Sequence, residues 1–341
     1  IYANNCIFFY HKLEYNNNEL SYISNLHRKI YFIMSKLKVA VIGAGYLGEF
    51  HTQKYIASKS VDLVGIVDIS KERCKEISVK YNIQTYNSYK DIIDEVDAVS
   101  IVVPTNLHYK IAKYFINNGK HILIEKPFVN KVNEGNMLKK LSQEKKTILQ
   151  IGHIERFNKA FIKLKSKIKN PIFIECNRIS PFKVRGTEVD VIMDLMIHDL
   201  DIIMSLNKSR INNIQANGAS VLTKKTDIAN ARITFEDGCV CNLSASRISE
   251  KIERKMRLFQ KNSYFSLDYQ TCELDSYIKL REEGVTKIKR SKDIFSENDS
   301  LAEEIKSFIQ CVKNKKEPIV NAIDGINALK YATRISNLIK K

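Results

Sequence analysis

Short apolar runs alternate with longer amphipathic segments along the first half of the chain. The apolar runs, which predict strands, cover residues 37–43, 61–68, 97–104, 121–127 and 147–153. The amphipathic segments predict helices. One begins near Tyr46, and three more cover residues 70–81, 107–119 and 133–146. Strands that alternate with helices form a doubly wound, mainly parallel sheet. The pattern therefore predicts an α/β domain over residues 34–155.

In the second half, apolar and polar positions alternate with a period of two. Such segments cover residues 171–180, 228–247 and 262–269, and the second contains a turn signal at Asp237-Gly238. Alternation predicts half-buried strands, and a short turn between two of them predicts an antiparallel hairpin. Two amphipathic helices follow, from Leu301 to Lys313 and from Ile323 to Leu338. We therefore predict an α+β domain over residues 156–341.

Residues 1–33 fit neither pattern. They begin at Ile1, contain the polar run Asn16-Asn17-Asn18 and hold only short apolar clusters, while Met34 stands just before the first strand. The clusters are too short for a signal peptide and no small-residue cleavage pattern follows them. We expect an extension upstream of the natural start, with little ordered structure.

One strongly apolar segment carries an unusual amount of charge. Residues 192–204 read IMDLMIHDLDIIM. On a helix, Asp194, His198 and Asp201 would lie within about 60° of one another, with Asp199 outside that stripe. A helix that is apolar nearly all round is buried, and a buried charge is costly unless a partner meets it. The stripe therefore faces either an internal ion-pair partner or a ligand.

The first predicted strand–helix turn reads GAGYLG (residues 43–48), and Asp68 ends the next strand. Glycines at these positions permit a tight turn and the close approach of backbone N–H groups to a pyrophosphate. Asp68 would accept hydrogen bonds from the adenosine ribose and repel a 2′-phosphate. The turn predicts a Rossmann-type dinucleotide site with NAD favoured over NADP, while Ser70, Lys71 and Arg73 keep NADP open. Its predicted cofactor contacts are Gly43, Gly45, Tyr46, Leu47, Gly48 and Asp68.

Two further motifs follow predicted strands, at the sheet edge where α/β proteins bind their ligands. One is Pro104-Thr105-Asn106-Leu107-His108, and the other is Glu125-Lys126-Pro127. With the glycine turn and the Asp194-x-x-x-His198 segment, they resemble the Gfo/Idh/MocA oxidoreductase family from about Lys36 to the C-terminus. The resemblance adds these expected cofactor contacts: Pro104, Thr105, Asn106, His108, Glu125 and Lys126.

The resemblance also implies an architecture and a catalytic set. It implies a C-terminal domain built on a large, mostly antiparallel open sheet, through which subunits pair as a homodimer or homotetramer. By similarity, Lys126, Asp194 and His198 match the family's catalytic residues. His198 is the natural base because its unperturbed pKa lies near neutrality. Lys126 would stabilise the developing alkoxide, and Asp194 would orient the imidazole or hold the sugar.

Two roles remain open at this stage. Asp201 either supports His198 or belongs to a structural ion pair. A zinc site made of Asp194, His198 and Asp201 is possible on spacing alone, but we favour no metal.

The substrate is narrowed by GHIERFN (152–158) and by residues 178–201. Both resemble the branch of the family that oxidises the C3 hydroxyl of UDP-N-acetylglucosamine, on the way to 3-amino sugars of lipid A. Fixed cations suit a diphosphate, and Arg156, Arg178, Lys183 and Arg185 are available. The expected substrate contacts are Lys126, Arg156, Arg185, Asp194 and His198. The alternatives are a free polyol such as an inositol, or an NAD-binding regulator without turnover.

Composition limits the remaining possibilities. The 341 residues carry a formal net charge of +17, which suits nucleic acid or an anionic substrate, but the lysines are spread along the whole chain. We therefore disfavour nucleic-acid binding.

No run reaches the roughly 20 apolar residues of a membrane span. The seven cysteines are irregularly spaced, which predicts free buried thiols in a reducing cytoplasm rather than a zinc site or disulfides.

Overall fold

The computed structural model describes residues 36–183, 189–282 and 285–340. The expected extension (1–33) and Arg185 lie outside the described residues. Within them, the first domain contains a parallel sheet of six strands in the order β3-β2-β1-β4-β5-β6. These strands are β1 (Leu37–Ile42), β2 (Val61–Val67), β3 (Thr85–Tyr86), β4 (Ala98–Ile101), β5 (His121–Glu125) and β6 (Leu149–Gly152). The predicted doubly wound sheet is confirmed.

Both faces of this sheet are covered, as the continuous apolar strands predicted. In β1, Val39 and Val41 belong to one buried cluster, whereas Ala40 and Ile42 belong to the cluster on the other side. The helices of this region are α1 (Tyr46–Ala57), α2 (Lys71–Tyr81), α3 (Thr105–Asn117) and α4 (Val132–Glu144). Helix α3 starts two residues before its predicted first residue, because Pro104 fixes the backbone just ahead of the first turn.

The second domain contains the mostly antiparallel sheet that the resemblance implied. Its eight described strands are ordered β14-β13-β12-β11-β7-β10-β9-β8, and only the central pair β7–β10 is parallel. They are β7 (Pro171–Ile179), β8 (Ile211–Ala219), β9 (Ile228–Phe235), β10 (Val240–Ser246), β11 (Glu253–Gln260), β12 (Ser263–Asp268), β13 (Glu273–Glu282) and β14 (Val285–Ile294). The predicted hairpin is β9–β10, with Gly238 at a φ of +86° in its turn.

The charged segment forms two kinds of helix. Residues Ile192–Met196 are a π-helical turn, and α6 (Ile197–Leu206) continues from it. A short 3₁₀ turn (Ile154–Phe157) and α5 (Lys159–Lys167) link the two sheets. The described helices include none that is long and apolar enough to cross a membrane. All six described cysteines are free and buried, as expected.

The last two helices, α7 (Ser300–Asn314) and α8 (Ala322–Ile339), both contact the first domain. Phe308 of α7 lies in the same cluster as β1 residues. Helix α8 contributes Ile326 to a first-domain cluster and Ala332 to the second-domain core. Helix α8 therefore contributes to the cores of both domains.

Candidate active site

The glycine turn between β1 and α1 is shaped for close backbone approach. A side chain at Gly43, whose φ is +108°, would collide with the Val102 carbonyl oxygen, and one at Gly48 would collide with the Gly43 carbonyl. At Gly45, by contrast, a Cβ would meet nothing within 4 Å. Two glycines are thus required by the packing of the turn, and Gly45 leaves open space at a helix N-terminus. This cradle fits the pyrophosphate of a dinucleotide.

Asp68, which follows β2, is fixed beside this turn. One carboxylate oxygen accepts a hydrogen bond from the Ala44 N–H (2.7 Å), and the other accepts from the Ser70 N–H (2.9 Å). The carboxylate therefore stands at the end of β2 in a fixed orientation, in the place predicted for a ribose contact. Tyr46 and Leu47, in the first turn of α1, are both exposed.

Arg73, in the first turn of α2, could receive a 2′-phosphate beside Asp68, but its guanidinium is already engaged. Its Nε donates to the Ala44 carbonyl oxygen (2.7 Å), and its guanidinium forms ion pairs with Glu49 and Glu76. Hydrogen bonds from Lys80, Tyr81 and Arg73 lower the pKa of Glu49 to about 2. Glu49 is therefore ionised at neutral pH and holds the arginine.

The motif after β4 has three exposed members, one half-buried member and one buried member. Pro104 and Asn106 are exposed and Thr105 is half-buried at the start of α3. His108 is 1% exposed, with Nε2 2.8 Å from the Val103 carbonyl oxygen and Nδ1 3.1 Å from the Pro127 carbonyl oxygen. His108 was expected to touch the cofactor. Its buried ring lies between the loops after β4 and β5, and its one N–H can donate to a carbonyl oxygen of either loop.

Glu125, the last residue of β5, contacts a buried histidine, and Lys126 follows it directly. The Oε1 of Glu125 lies 3.0 Å from Nε2 of His51, which is fully buried. Burial opposes ionisation of Glu125, but the His51 hydrogen bond and the neighbouring Lys126 charge outweigh it and lower the pKa of Glu125. Glu125 was predicted as a cofactor contact, and this pairing places its carboxylate against His51 beneath the sheet edge.

Lys126 reaches across to the second domain. Its Nζ donates to the main-chain carbonyl oxygen of Asp194 (2.7 Å) and lies 3.3 Å from Asp194 Oδ1. The lysine side chain is 17% exposed and the aspartate side chain 35% exposed. The structure therefore brings the two predicted catalytic residues together in a cleft that remains accessible.

His198 lies one turn beyond Asp194 and is partly buried. Its Nδ1 is buried and has no hydrogen-bond partner among the described residues. Burial, followed by the positive charges of Lys126 and Arg178, holds the pKa of His198 well below its usual range. The imidazole is thus neutral at physiological pH and able to accept a proton. The expected hydrogen bond between the His198 imidazole and the Asp194 carboxylate is not formed within the described chain, because the carboxylate contacts Lys126 instead.

Arg156 does not occupy the role expected of it. It was predicted to bind the substrate, yet its side chain is only 4% exposed and its guanidinium donates to both carboxylate oxygens of Asp201 (2.6 and 2.8 Å). A further contact of 3.3 Å joins it to Asp324 of α8. We therefore do not retain Arg156 as a substrate contact. Asp201 is its structural partner, so the Asp201 carboxylate is occupied by Arg156 and does not support His198.

Arg178 is engaged in the same way. It donates to Asp199 (2.8 and 3.0 Å) and to Glu155 (2.7 Å), and its side chain is also 4% exposed. The three carboxylates and the histidine of the charged segment thus divide between internal pairs and the cleft. In the described part of the chain, no three His, Cys, Asp or Glu residues are grouped so as to hold a metal ion.

The sequence reasoning overlooked His153, which the structure places beside the cleft. The rings of His153 and His198 are perpendicular (87°) with centroids 6.4 Å apart. A signal was present: His153 directly follows β6, as Lys126 directly follows β5, so both stand at the ligand-binding edge of the sheet. The motif GHIERFN was noted, but only its arginine was selected.

Comparison with known families agrees with this geometry. The family described as "Oxidoreductase family, NAD-binding Rossmann fold" (Gfo/Idh/MocA) matches residues 37–153. Its partner, "Oxidoreductase family, C-terminal alpha/beta domain", matches residues 169–337. Together these matches cover most of the chain and both sheets.

Individual relatives share nearly the whole length of the chain. The UDP-N-acetylglucosamine 3-dehydrogenase of Acidithiobacillus ferrooxidans is 35% identical, over 89% of this chain and 97% of its own. A solved structure of that enzyme superposes with a TM-score of 0.85, covering 90% of this chain and 98% of its own. The scyllo-inositol 2-dehydrogenase (NAD(+)) of Bacillus subtilis is 26% identical over 89% of this chain and 94% of its own. The scyllo-inositol dehydrogenase of Lactobacillus casei, solved with NAD(H) and scyllo-inositol, shares the fold at 18% identity (TM-score 0.75), covering 90% of this chain and 97% of its own.

Proposed function

This chain belongs to the Gfo/Idh/MocA oxidoreductase family, and we propose that it is an NAD-dependent dehydrogenase that oxidises the C3 hydroxyl of a UDP-N-acetylhexosamine such as UDP-N-acetylglucosamine. The observation that carries the proposal is the contact of Lys126 with Asp194 beside a neutral His198. A cation and a neutral base at one cleft are the two groups that oxidation of an alcohol requires of the protein.

Each residue has a distinct task in this reaction. The Lys126 ammonium group donates to the carbinol oxygen and stabilises the negative charge that develops there. The unprotonated His198 accepts the hydroxyl proton. Bound NAD supplies the acceptor for the carbinol C–H hydrogen and its electron pair, so the product is a ketone. Asp194 keeps Lys126 in the cleft and can receive a hydrogen bond from the sugar.

The preference for NAD follows from Asp68 and Arg73. A fixed carboxylate at the end of β2 accepts hydrogen bonds from the ribose hydroxyls and repels a phosphate in their place. Arg73, which could offset that repulsion, is paired with Glu49 and Glu76. The charge at this position therefore supports NAD over NADP.

The nucleotide-sugar assignment draws on the 35% identical relative and on a different arginine from those predicted. Arg254 of β11 pairs directly opposite Arg178 of β7, so both side chains project from the face that packs against α6. Arg254 is exposed, and its charge helps to lower the pKa of His198. With Arg156 and Arg178 engaged internally, we assign the diphosphate to Arg254, with Arg185 as a further proposed contact.

The second candidate is a dehydrogenase of a free polyol, favoured by the 26% identical inositol enzyme. Neither candidate involves nucleic acid. We also propose that the protein forms a homo-oligomer and acts in the cytoplasm. A partner aminotransferase would then use the ketone product.

A substrate panel tests the proposal. The purified protein is incubated with NAD and either UDP-sugars or free polyols, and NADH absorbance is followed. We expect turnover with UDP-N-acetylglucosamine and a far lower kcat/KM with scyllo- or myo-inositol. Preference for a polyol would establish the second candidate, and an inactive protein that still binds NAD would favour a regulator.

A further inference from the structure

His153 directly follows β6, just as Lys126 directly follows β5. Glu125 and Gly152 are register partners at the ends of the two parallel strands, so Lys126 and His153 follow as equivalent residues at one sheet edge. His153 is 1% exposed. It is therefore held by the rigid sheet next to the lysine of the proposed active site, and not by a loose surface loop.

The ring of His153 lacks the partners that a buried imidazole requires. Neither Nδ1 nor Nε2 has a hydrogen-bond partner in the described chain. Burial lowers the pKa of His153, so the ring is neutral, with one donor nitrogen and one acceptor nitrogen. Buried polar groups are nearly always paired. His108 differs in this same protein, because carbonyl oxygens of Val103 and Pro127 lie within hydrogen-bond distance of its ring and give its N–H a partner.

The surroundings indicate where the missing partner comes from. The charged groups near His153 are Asp201, Arg156, Asp324 and Lys126. The first three form one ion-pair cluster among themselves, and Lys126 is directed to Asp194. The remaining neighbour is His198, whose ring centroid is 6.4 Å away, without a hydrogen bond between the rings. Within the described chain, both ring nitrogens of His153 and Nδ1 of His198 therefore lack a partner, and the two rings are neighbours.

We propose that His153 binds the substrate hydroxyl adjacent to the carbinol that is oxidised at Lys126 and His198. This inference rests on the proposed function and specifies which sugar group the site reads. A hydroxyl can donate to the acceptor nitrogen of a neutral imidazole or accept from its donor nitrogen, so it suits either orientation of the ring. A carboxylate or phosphate could only accept and would favour a protonated ring. The ligand group is therefore an uncharged hydroxyl, and His153 is a specificity-determining residue.

The test compares His153→Phe, which keeps a flat ring but has no nitrogen, with His153→Gln, which retains a donor and an acceptor. Each protein is assayed with NAD and two C4 epimers, UDP-N-acetylglucosamine and UDP-N-acetylgalactosamine, whose C4 hydroxyl neighbours C3. We expect the Phe variant to raise KM for the preferred epimer roughly tenfold, the worth of one hydrogen bond, and to lose the preference between epimers. NAD affinity should not change, and the Gln variant should recover part of the preference.

Two outcomes separate the inference from the function on which it rests. A wild type that oxidises the sugar, with a Phe variant of equal kcat/KM and equal epimer preference, would overturn the role of His153 alone. A wild type that turns over no sugar would contradict the proposed function. In that case the ring ¹⁵N signals of His153 are followed in the NAD-bound protein on addition of each sugar. A shift in the wild type of signals that are absent from the His153→Phe spectrum would support the contact, and unchanged signals would overturn it.

Discussion

The Nζ of Lys126 donates to the main-chain carbonyl oxygen of Asp194, and its contact with the Asp194 side chain is longer (2.7 against 3.3 Å). Because the shorter bond uses the backbone, Asp194→Asn should leave the lysine in place. We expect this variant to keep its melting temperature and NAD affinity and to lose turnover less severely than Lys126→Met. Steady-state kinetics and thermal unfolding of both variants check the order. Equal losses would show that the carboxylate itself is essential.

His198→Asn should reduce turnover by roughly 100- to 10,000-fold, the usual contribution of a positioned general base. NAD affinity should change little, because Gly45 and Asp68 belong to the other domain. The measurement combines kcat with NAD binding by fluorescence on one preparation. A folded, NAD-binding variant with near-wild-type turnover on its substrate would exclude His198 as the base.

Asp68→Ala should narrow the preference for NAD over NADP, because it removes the carboxylate that repels a 2′-phosphate. Arg73 would remain held by Glu49, so we expect a narrowed preference and not a reversed one. Adding Glu49→Gln should free Arg73 and shift the preference further towards NADP. Ratios of kcat/KM for the two cofactors test this order, and a wild type that prefers NADP would contradict the assignment.

The two roles assigned to arginine predict opposite phenotypes. Arg156→Ala leaves the buried charge of Asp201 without its partner, and we expect a loss of about 3–5 kcal/mol in the free energy of unfolding. Arg254→Ala should unfold like the wild type but raise KM for the UDP-sugar, with no effect on turnover of a free polyol. Urea unfolding and KM measured on both variants distinguish these roles. A stable Arg156→Ala protein with raised KM would restore Arg156 as a substrate contact.

Stability should fall as the pH decreases below about 6.5, the ordinary histidine pKa. The pKa values of His153 and His198 are lowered in the folded protein, mainly by burial. Below pH 6.5 the unfolded chain therefore binds protons that the folded chain does not, and unfolding becomes easier by up to ~1.4 kcal/mol per pH unit for each histidine. His153→Gln should flatten this slope between about pH 6.5 and 5.5. Urea titrations across that interval measure it, and an unchanged slope would contradict the assignment.

Local sequence patterns predict those parts of the fold that residues close together in the chain create. The glycine turn, the strand ahead of it and Asp68 form one local unit, since the turn requires small residues at Gly43 and Gly48 whatever surrounds it. Continuous apolar runs and period-two alternation likewise predicted the two kinds of sheet. Strand β14 was not predicted, because nearly all of its residues are exposed and it has no apolar face to reveal its period.

Tertiary packing, and not local sequence, sets which charged side chains form ion pairs. Arg156 and Asp201 are 45 residues apart, and Asp324 lies 168 residues from Arg156. No local pattern separates an arginine that will be buried in such a pair from one that will face a phosphate, because both are the same side chain in a polar stretch. The difference arises when α8 closes the two domains and removes water from one guanidinium. Among the described residues, the same packing leaves both ring nitrogens of His153 without a hydrogen-bond partner, and no local pattern predicts this because the fold decides what surrounds a buried side chain.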